Sequence, residues 1–229
     1  MLAVGVLGAG LALGTGMWGA YAPNSQLFGP VIGRGPLEPV VYLTFDDGPN
    51  PGVTHRVLEV LEQEQVPATF FMVGKHVERH PHTALAVAWA GHEIGNHTYS
   101  HIKLHRVGPG RARDEIRSAH RTITAVTGYT PRSFRAPHGY RSPFVAGATA
   151  PYGYRSFGWT FGVWDSDCPG VARIRSRVRR QLTPGAIVLL HDGDGYDPSG
   201  ERWQTAAALP GIIRDIRAAG YRFGSLATL

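Results

Sequence analysis

Two adjacent carboxylates close an apolar run in TFDDGP, Thr44 to Pro49. Asp46 and Asp47 repel one another unless a cation lies beside them, and a cation would let the two acids take separate tasks. The plainer reading is a turn, since Asp, Gly and Pro all favour turns and a turn must follow a strand. Farther on, HTYSH sets His97 and His101 four residues apart. On a helical turn, residues i and i+4 share a face, so both imidazoles could reach one ion. In a chain with eleven histidines, one such pair arises easily by chance. Joined by a carboxylate from another strand end, the pair becomes a site of two imidazoles and one carboxylate, which keeps a position open for water as a hydrolytic metal requires. Asp47 would then be the third ligand and Asp46 the base that deprotonates the water. His191, directly after AIVLL, is the candidate acid on the other side of the reaction centre, because imidazole exchanges protons near neutral pH. Taken alone, His191 could equally cap a strand end by bonding to backbone.

The elements that must position these groups alternate from Val40 onward. VVYLTF (40–45), ATFFMV (68–73), HEIG (92–95), RSFR (132–135), YRSFGWTFGV (154–163), AIVLL (186–190) and YRFGSL (221–226) read as strands. Helices are expected at 54–65, with Thr54 as N-cap, around 83–90, within 111–127, at 171–182 and around 204–218. About seven strands with helices between them predict a parallel sheet, closed as a barrel or open and doubly wound. In both architectures ligands gather at the carboxyl ends of the strands. Asp46 and Asp47 follow the first predicted strand, His97 and His101 the third, Arg135 the fourth, Asp165 the fifth and His191 the sixth. Turn residues scattered at random would not be so rich in Asp, His and Arg.

The 229 residues suffice for one large domain or two small ones. A single cysteine, Cys168, excludes an internal disulfide and a cysteine-rich zinc site, so any metal is held by His and carboxylate. The net charge of +6 suits an anionic surface but names none. The arginine face of 171–182 reads as a solvated surface in preference to a nucleic-acid site. From Leu2 to Ala22 there is no charge, and about 20 apolar residues can span a bilayer. A membrane anchor is preferred over a signal peptide, which would carry a basic leading region, and over a buried helix. Residues 23–39, with four Pro and three Gly, are expected to be a linker, leaving 40–229 as the folded domain.

TFDDGP, GHEIGNHTYSH, FRAPHG and IVLLHDG, in this order, resemble the signature motifs of the polysaccharide deacetylases, the NodB-homology enzymes of carbohydrate esterase family four. PATFFMVG (67–74) matches the second strand of that family, and the resemblance covers about residues 40–226. It implies a distorted, incomplete (β/α) barrel and removal of N-acetyl groups, occasionally O-acetyl, from chitin-like sugars, peptidoglycan or xylan. It also implies a divalent metal, zinc before cobalt, nickel or manganese. By the same resemblance Asp46 is the base, Asp47, His97 and His101 hold the metal, and Arg135 holds the base carboxylate. His191 is the acid, and Leu189 lines the pocket for the acetyl methyl. Trp159 and Asp165 keep the spacing of the motif whose aspartate tunes the acid histidine. An aromatic usually follows that aspartate; here Ser166 does, which leaves Asp167 as a rival. His138 stands where the family usually has Tyr, at the backbone N–H that stabilises the oxyanion. A backbone donor tolerates that change. The implied partner is an acetylated glycan of the cell envelope, reached from a membrane-anchored or secreted position, with no nucleic acid and no protein partner. Deformylation or deacetylation of a lipid-linked sugar, and a catalytically weak wall-binding protein, are the alternatives.

Overall fold

All strand pairings are parallel, in the order β5-β4-β3-β2-β1-β7-β6, with β8 beside the start of β1. The strands are β1 (Val40–Asp46), β2 (Ala68–Met72), β3 (Glu93–Asn96), β4 (Ser133–Phe134), β5 (Arg155–Ser156), β6 (Phe161–Gly162), β7 (Ala186–His191) and β8 (Arg222–Phe223). This computed structural model describes Gly14, residues 16–200 and residues 202–229. Seven strands curl through 210° into a half-barrel. Helices α1 (Val53–Gln63), α2 (Gly74–Arg79), α3 (Pro81–Trp89), α4 (Pro109–Thr127), α5 (Phe144–Thr149), α6 (Val171–Gln181) and α7 (Trp203–Ala218) lie in the connections.

Side-chain alternation along the strands decides where the chemistry falls. On β1, Val41, Leu43 and Phe45 join Phe70, Met72, Ile94, Val188 and Leu190 in the large core beneath the helices. The alternate residues Val40 and Tyr42, with Phe71, Phe157 and Ile187, fill the barrel interior. Two more steps along that inner face bring β1 to Asp46. The same parity, counted from Glu93 on β3, Ser133 on β4 and Ile187 on β7, reaches His97, Arg135 and His191. Asp46 and His191 are moreover register partners on adjacent strands. A slip of one residue would turn every one of these groups out into the helical layer.

The structure departs from the sequence expectations at definite places. The expected strand 154–163 is two short strands at opposite edges of the sheet, β5 beside β4 and β6 beside β7. Between them Gly158 passes so close to Asn24 that a Cβ would lie 2.0 Å from Asn24 Oδ1, and its carbonyl turns inward to Arg135. Gly52, not Thr54, is the N-cap of α1, and Asn50 just before it accepts the N–H groups of Gly52 and Val53 at its Oδ1. Thr54 is buried and gives its hydroxyl to Asp192. The sequence pattern does not foreshadow α2 and α5; each spans only six residues, too few for a 3.6-residue period to show.

The expected linker is instead part of the fold. Ile32 bridges to Phe157 just beyond β5, and Arg34 bridges to Ala186 on β7, so residues 32–34 cross the open seam of the half-barrel. They supply backbone partners to edges that would otherwise present unpaired groups. Arg141 grips the same stretch through the carbonyls of Ser25 and Gly29. The expected membrane-spanning segment falls largely outside the described residues. Among those described, residues 16–21 are helical, and no helix is long and apolar enough to cross a membrane. On α6, Arg175 pairs with Asp215 and Arg177 donates to the carbonyl of Val163, so part of the arginine face serves internal packing.

Candidate active site

Asp46, Asp47, His97, His101, His138, Trp159, Leu189 and His191 line one cavity of about 170 Å³ at the carboxyl end of the sheet. A larger cleft of about 600 Å³, lined by Arg56, His80 and Trp203, holds none of these strand-end residues. The two aspartates are separated by backbone geometry. Asp46 ends β1, whereas Asp47 has φ 75, a left-handed turn conformation that redirects its carboxylate. His76, buried on α2, donates from its Nδ1 to the Asp47 carbonyl oxygen (2.8 Å) and so steadies that turn. Burial lowers the pKa of His76, which favours the neutral ring.

Asp47 Oδ1 lies 3.0 Å from His101 Nε2 and 3.3 Å from His97 Nε2. HTYSH is not a helical turn; His101 and Thr98 both have positive φ, and this irregular loop brings the two rings to a centroid distance of 5.1 Å. His97 Nδ1 lies 2.8 Å from the Arg135 carbonyl, so Nδ1 carries the proton and the Nε2 lone pair faces Asp47. Among the described residues, Asp47, His97 and His101 form the one group of three such donors, all buried, with ligand atoms within 4.8 Å of one another. Lone pairs of neutral imidazoles turned toward a carboxylate oxygen repel, and Asp47 Oδ1 has no hydrogen-bond partner. A shared cation removes both difficulties, and separations near 3 Å are what two ligands at about 2.0–2.1 Å from one ion display. The donor set fits a divalent metal. Burial alone would raise the Asp47 pKa, but positive charge on the facing His101 and His97, were they protonated, would outweigh it and hold the carboxyl well below its ordinary range, and a bound cation would act in the same sense.

Asp46 meets a different environment. Its Oδ1 accepts from Arg135 Nη1 at 2.6 Å, and the same nitrogen donates to Thr44 at 2.8 Å. Arg135 is wholly buried, packs its guanidinium over Phe71 at 4.2 Å from the ring centroid, and donates to the Gly158 carbonyl at 2.7 Å. Removing one partner of such a pair leaves a buried charge uncompensated. Arg135→Ala is therefore expected to lower unfolding stability by about 3–5 kcal/mol in urea titration at neutral pH, and a loss under about 1 kcal/mol would show the pair to be solvated.

Opposite the Asp47, His97 and His101 cluster, His191 Nδ1 lies 2.9 Å from Asp165 Oδ1, while Asp165 Oδ2 accepts the His191 N–H at 2.8 Å and the Thr205 hydroxyl at 2.7 Å. Asp167 is exposed on the same short turn, so the partner is Asp165. Burial disfavours the imidazolium, but the Asp165 carboxylate, with Asp47 and Asp46 farther off, overrides it and pushes the His191 pKa up to about 10. Asp165 in turn is lowered: the same imidazole and its hydrogen bonds outweigh burial.

Sequence reasoning missed His76, Thr44, Thr205 and Tyr196, whose hydroxyl lies 2.9 Å from His138 Nε2. None carries a pattern that could have drawn attention, because each acts through contacts with residues distant in sequence.

The family model described as polysaccharide deacetylase matches residues 33–157, which is more than half of the chain. The chain belongs to the polysaccharide deacetylase family. A chitooligosaccharide deacetylase of Bradyrhizobium sp. (strain ANU 289) is 41% identical over 198 residues, 82% of this chain and 90% of that protein. A peptidoglycan-N-acetylglucosamine deacetylase of Bacillus cereus is 36% identical, covering 84% of this chain and 88% of its own. Among solved structures, a family-four carbohydrate esterase pseudoenzyme from Bacillus anthracis superposes with a TM-score of 0.79 at 30% identity, covering 86% of this chain and 68% of that one. This polysaccharide deacetylase fold can thus occur in a protein described as a pseudoenzyme, and activity has to be argued from the residues in the cavity.

Proposed function

We propose that this protein is a metal-dependent hydrolase that removes N-acetyl groups from N-acetylglucosamine-containing glycans, either cell-envelope polymer or chitin-like oligomers. The observation that carries the reading is the arrangement in one cavity: three converging donors, a carboxylate paired with a buried arginine, and a carboxylate-backed imidazole. The relatives described as deacetylases support it.

Asp47, His97 and His101 would hold the ion, and two imidazoles with one carboxylate suit zinc, with cobalt, nickel or manganese as substitutes. When bound, the ion supplies a Lewis acid beside the acetyl carbonyl and makes a nearby water more acidic. Asp46, held by Arg135, takes a proton from the attacking water as its oxygen bonds to the carbonyl carbon. The backbone N–H of His138 faces the developing oxyanion, and Leu189 and Trp159 enclose the methyl group. His191 then donates its proton to the sugar nitrogen as the C–N bond breaks, giving acetate and a free amine. Asp165 keeps His191 protonated and turned correctly. The uncharged run Leu2–Ala22 supports a cell-envelope location, anchored in a membrane or secreted.

The direct test is release of acetate from N-acetylated chitooligosaccharides and peptidoglycan by the full chain loaded with zinc or cobalt. No release of acetate from either would rule the proposal out. The role of Asp165 has its own signature. A carboxylate that raises the pKa of the acid keeps the acid protonated to higher pH. Asp165→Asn is accordingly expected to bring the alkaline fall of kcat/KM down by about 1–3 pH units. An unmoved alkaline limb would remove Asp165 from this role.

A further inference from the structure

We infer that Tyr196 is a platform for the sugar ring that carries the reacting acetamide, held in place by His138, and that it gives the site its preference for glycan over small acetyl compounds. This rests on the proposed deacetylase reading and adds to it the surface that recognises the sugar. Size is the first reason. A cavity of about 170 Å³ falls below the range of about 300–1,000 Å³ for pockets that enclose a whole small ligand. The pyranose ring must then lie on the rim.

Tyr196 is the exposed aromatic on that rim. It follows β7 on the loop after His191, lines the cavity, and leaves 62% of its surface open to solvent. Its position is fixed from several sides. The ring meets His101 edge-on at 4.9 Å between centroids and stacks on His138 at 6.1 Å and 29°, and its hydroxyl bonds His138 Nε2. Asp194 accepts the backbone N–H groups of Tyr196 and Asp197 and pairs with Arg202 at 2.6 Å. Gly195 lets the loop approach: a Cβ there would lie 2.2 Å from His101 Nδ1. An ordered, exposed aromatic ring beside a reaction centre loses little entropy on binding, and its apolar face matches the C–H face of a β-linked glucosamine ring, whose polar substituents point outward. The His138 side chain thus has a use of its own, separate from its backbone N–H.

The test compares parent, Tyr196→Ala and Tyr196→Phe, each loaded with zinc, on chitotetraose and on 4-nitrophenyl acetate, which has no sugar. In Tyr196→Ala, KM for the tetraose should rise about tenfold, and the kcat/KM ratio of tetraose to ester should fall to match. Tyr196→Phe keeps the ring and loses only the bond to His138, so its KM should stay within about threefold of the parent. An unchanged KM in Tyr196→Ala overturns the inference, as does a Phe variant impaired as much as the Ala variant. Calorimetric binding of chitotetraose to the parent and to Tyr196→Ala separates this from the reaction itself. Weaker binding in the variant supports the platform even where no acetate is released, while equal binding, or none to the parent, overturns it.

Discussion

Asp46→Asn is expected to lower the rate of acetate release by about a thousandfold or more, while the protein keeps its fold and its metal. A positioned general base contributes about 10² to 10⁴ in rate, and an amide cannot accept the proton from water. The substitution changes one oxygen to nitrogen, so packing beneath the strand end is preserved. Arg135 loses its anionic partner but retains Thr44 and the Gly158 carbonyl as acceptors. The proposed ligands Asp47, His97 and His101 are untouched, so metal content by atomic absorption should equal that of the parent. An Asn variant within tenfold of parental turnover, fully loaded, would show that another group takes the proton. A variant that has lost its metal would show that Asp46 is itself a ligand.

Stripping the metal is expected to reduce activity at least a hundredfold and to lower the thermal midpoint, with both restored by adding zinc or cobalt. The second effect follows from linkage. A ligand present at 100 times its dissociation constant, and bound only by the native state, contributes about 2.7 kcal/mol of stability. The structural reason is local: without the ion, Asp47 Oδ1 is buried against two imidazole nitrogens with no hydrogen bond of its own. His97→Ala and His101→Ala should each mimic the stripped protein and should not recover on adding metal at the parental loading concentration. Full acetate release from protein shown to contain no divalent ion would dispose of the metal-dependent reading.

Much of this site is legible in the sequence, for a physical reason. Buried parallel strands are long apolar runs, so VVYLTF, ATFFMV and AIVLL announce themselves, and the residue that ends each run is positioned by the strand. Asp46 and His191 are of this kind. His97 and His101 do meet, but through a loop with positive φ and not across the helical face that their spacing suggests. Short edge strands leave no such trace: β5 and β6 have two residues each, and a ten-residue stretch of aromatic and small residues hides the break between them. The linker reading fails because Pro and Gly mark irregular backbone, and irregular backbone can be docked as firmly as any strand. Asp165 and Asp167 are separated only by seeing which one lies beneath His191. His76 and Tyr196 make contacts with residues distant in sequence, and single-residue types carry no record of such partners.

Asp46 and His191 sit directly across from each other on neighbouring strands, and in the proposed reaction that would place proton removal and proton delivery on a ruler made of peptide hydrogen bonds, with divisions of about 4.8 Å. No surface loop sets the gap between them. Selection for a new polymer can therefore lengthen, shorten or recompose the rim, the segment bearing Tyr196 included, without retuning the hydrolytic step. The conservative part of such an enzyme is two rungs of a ladder, and its adaptable part is everything that overhangs them.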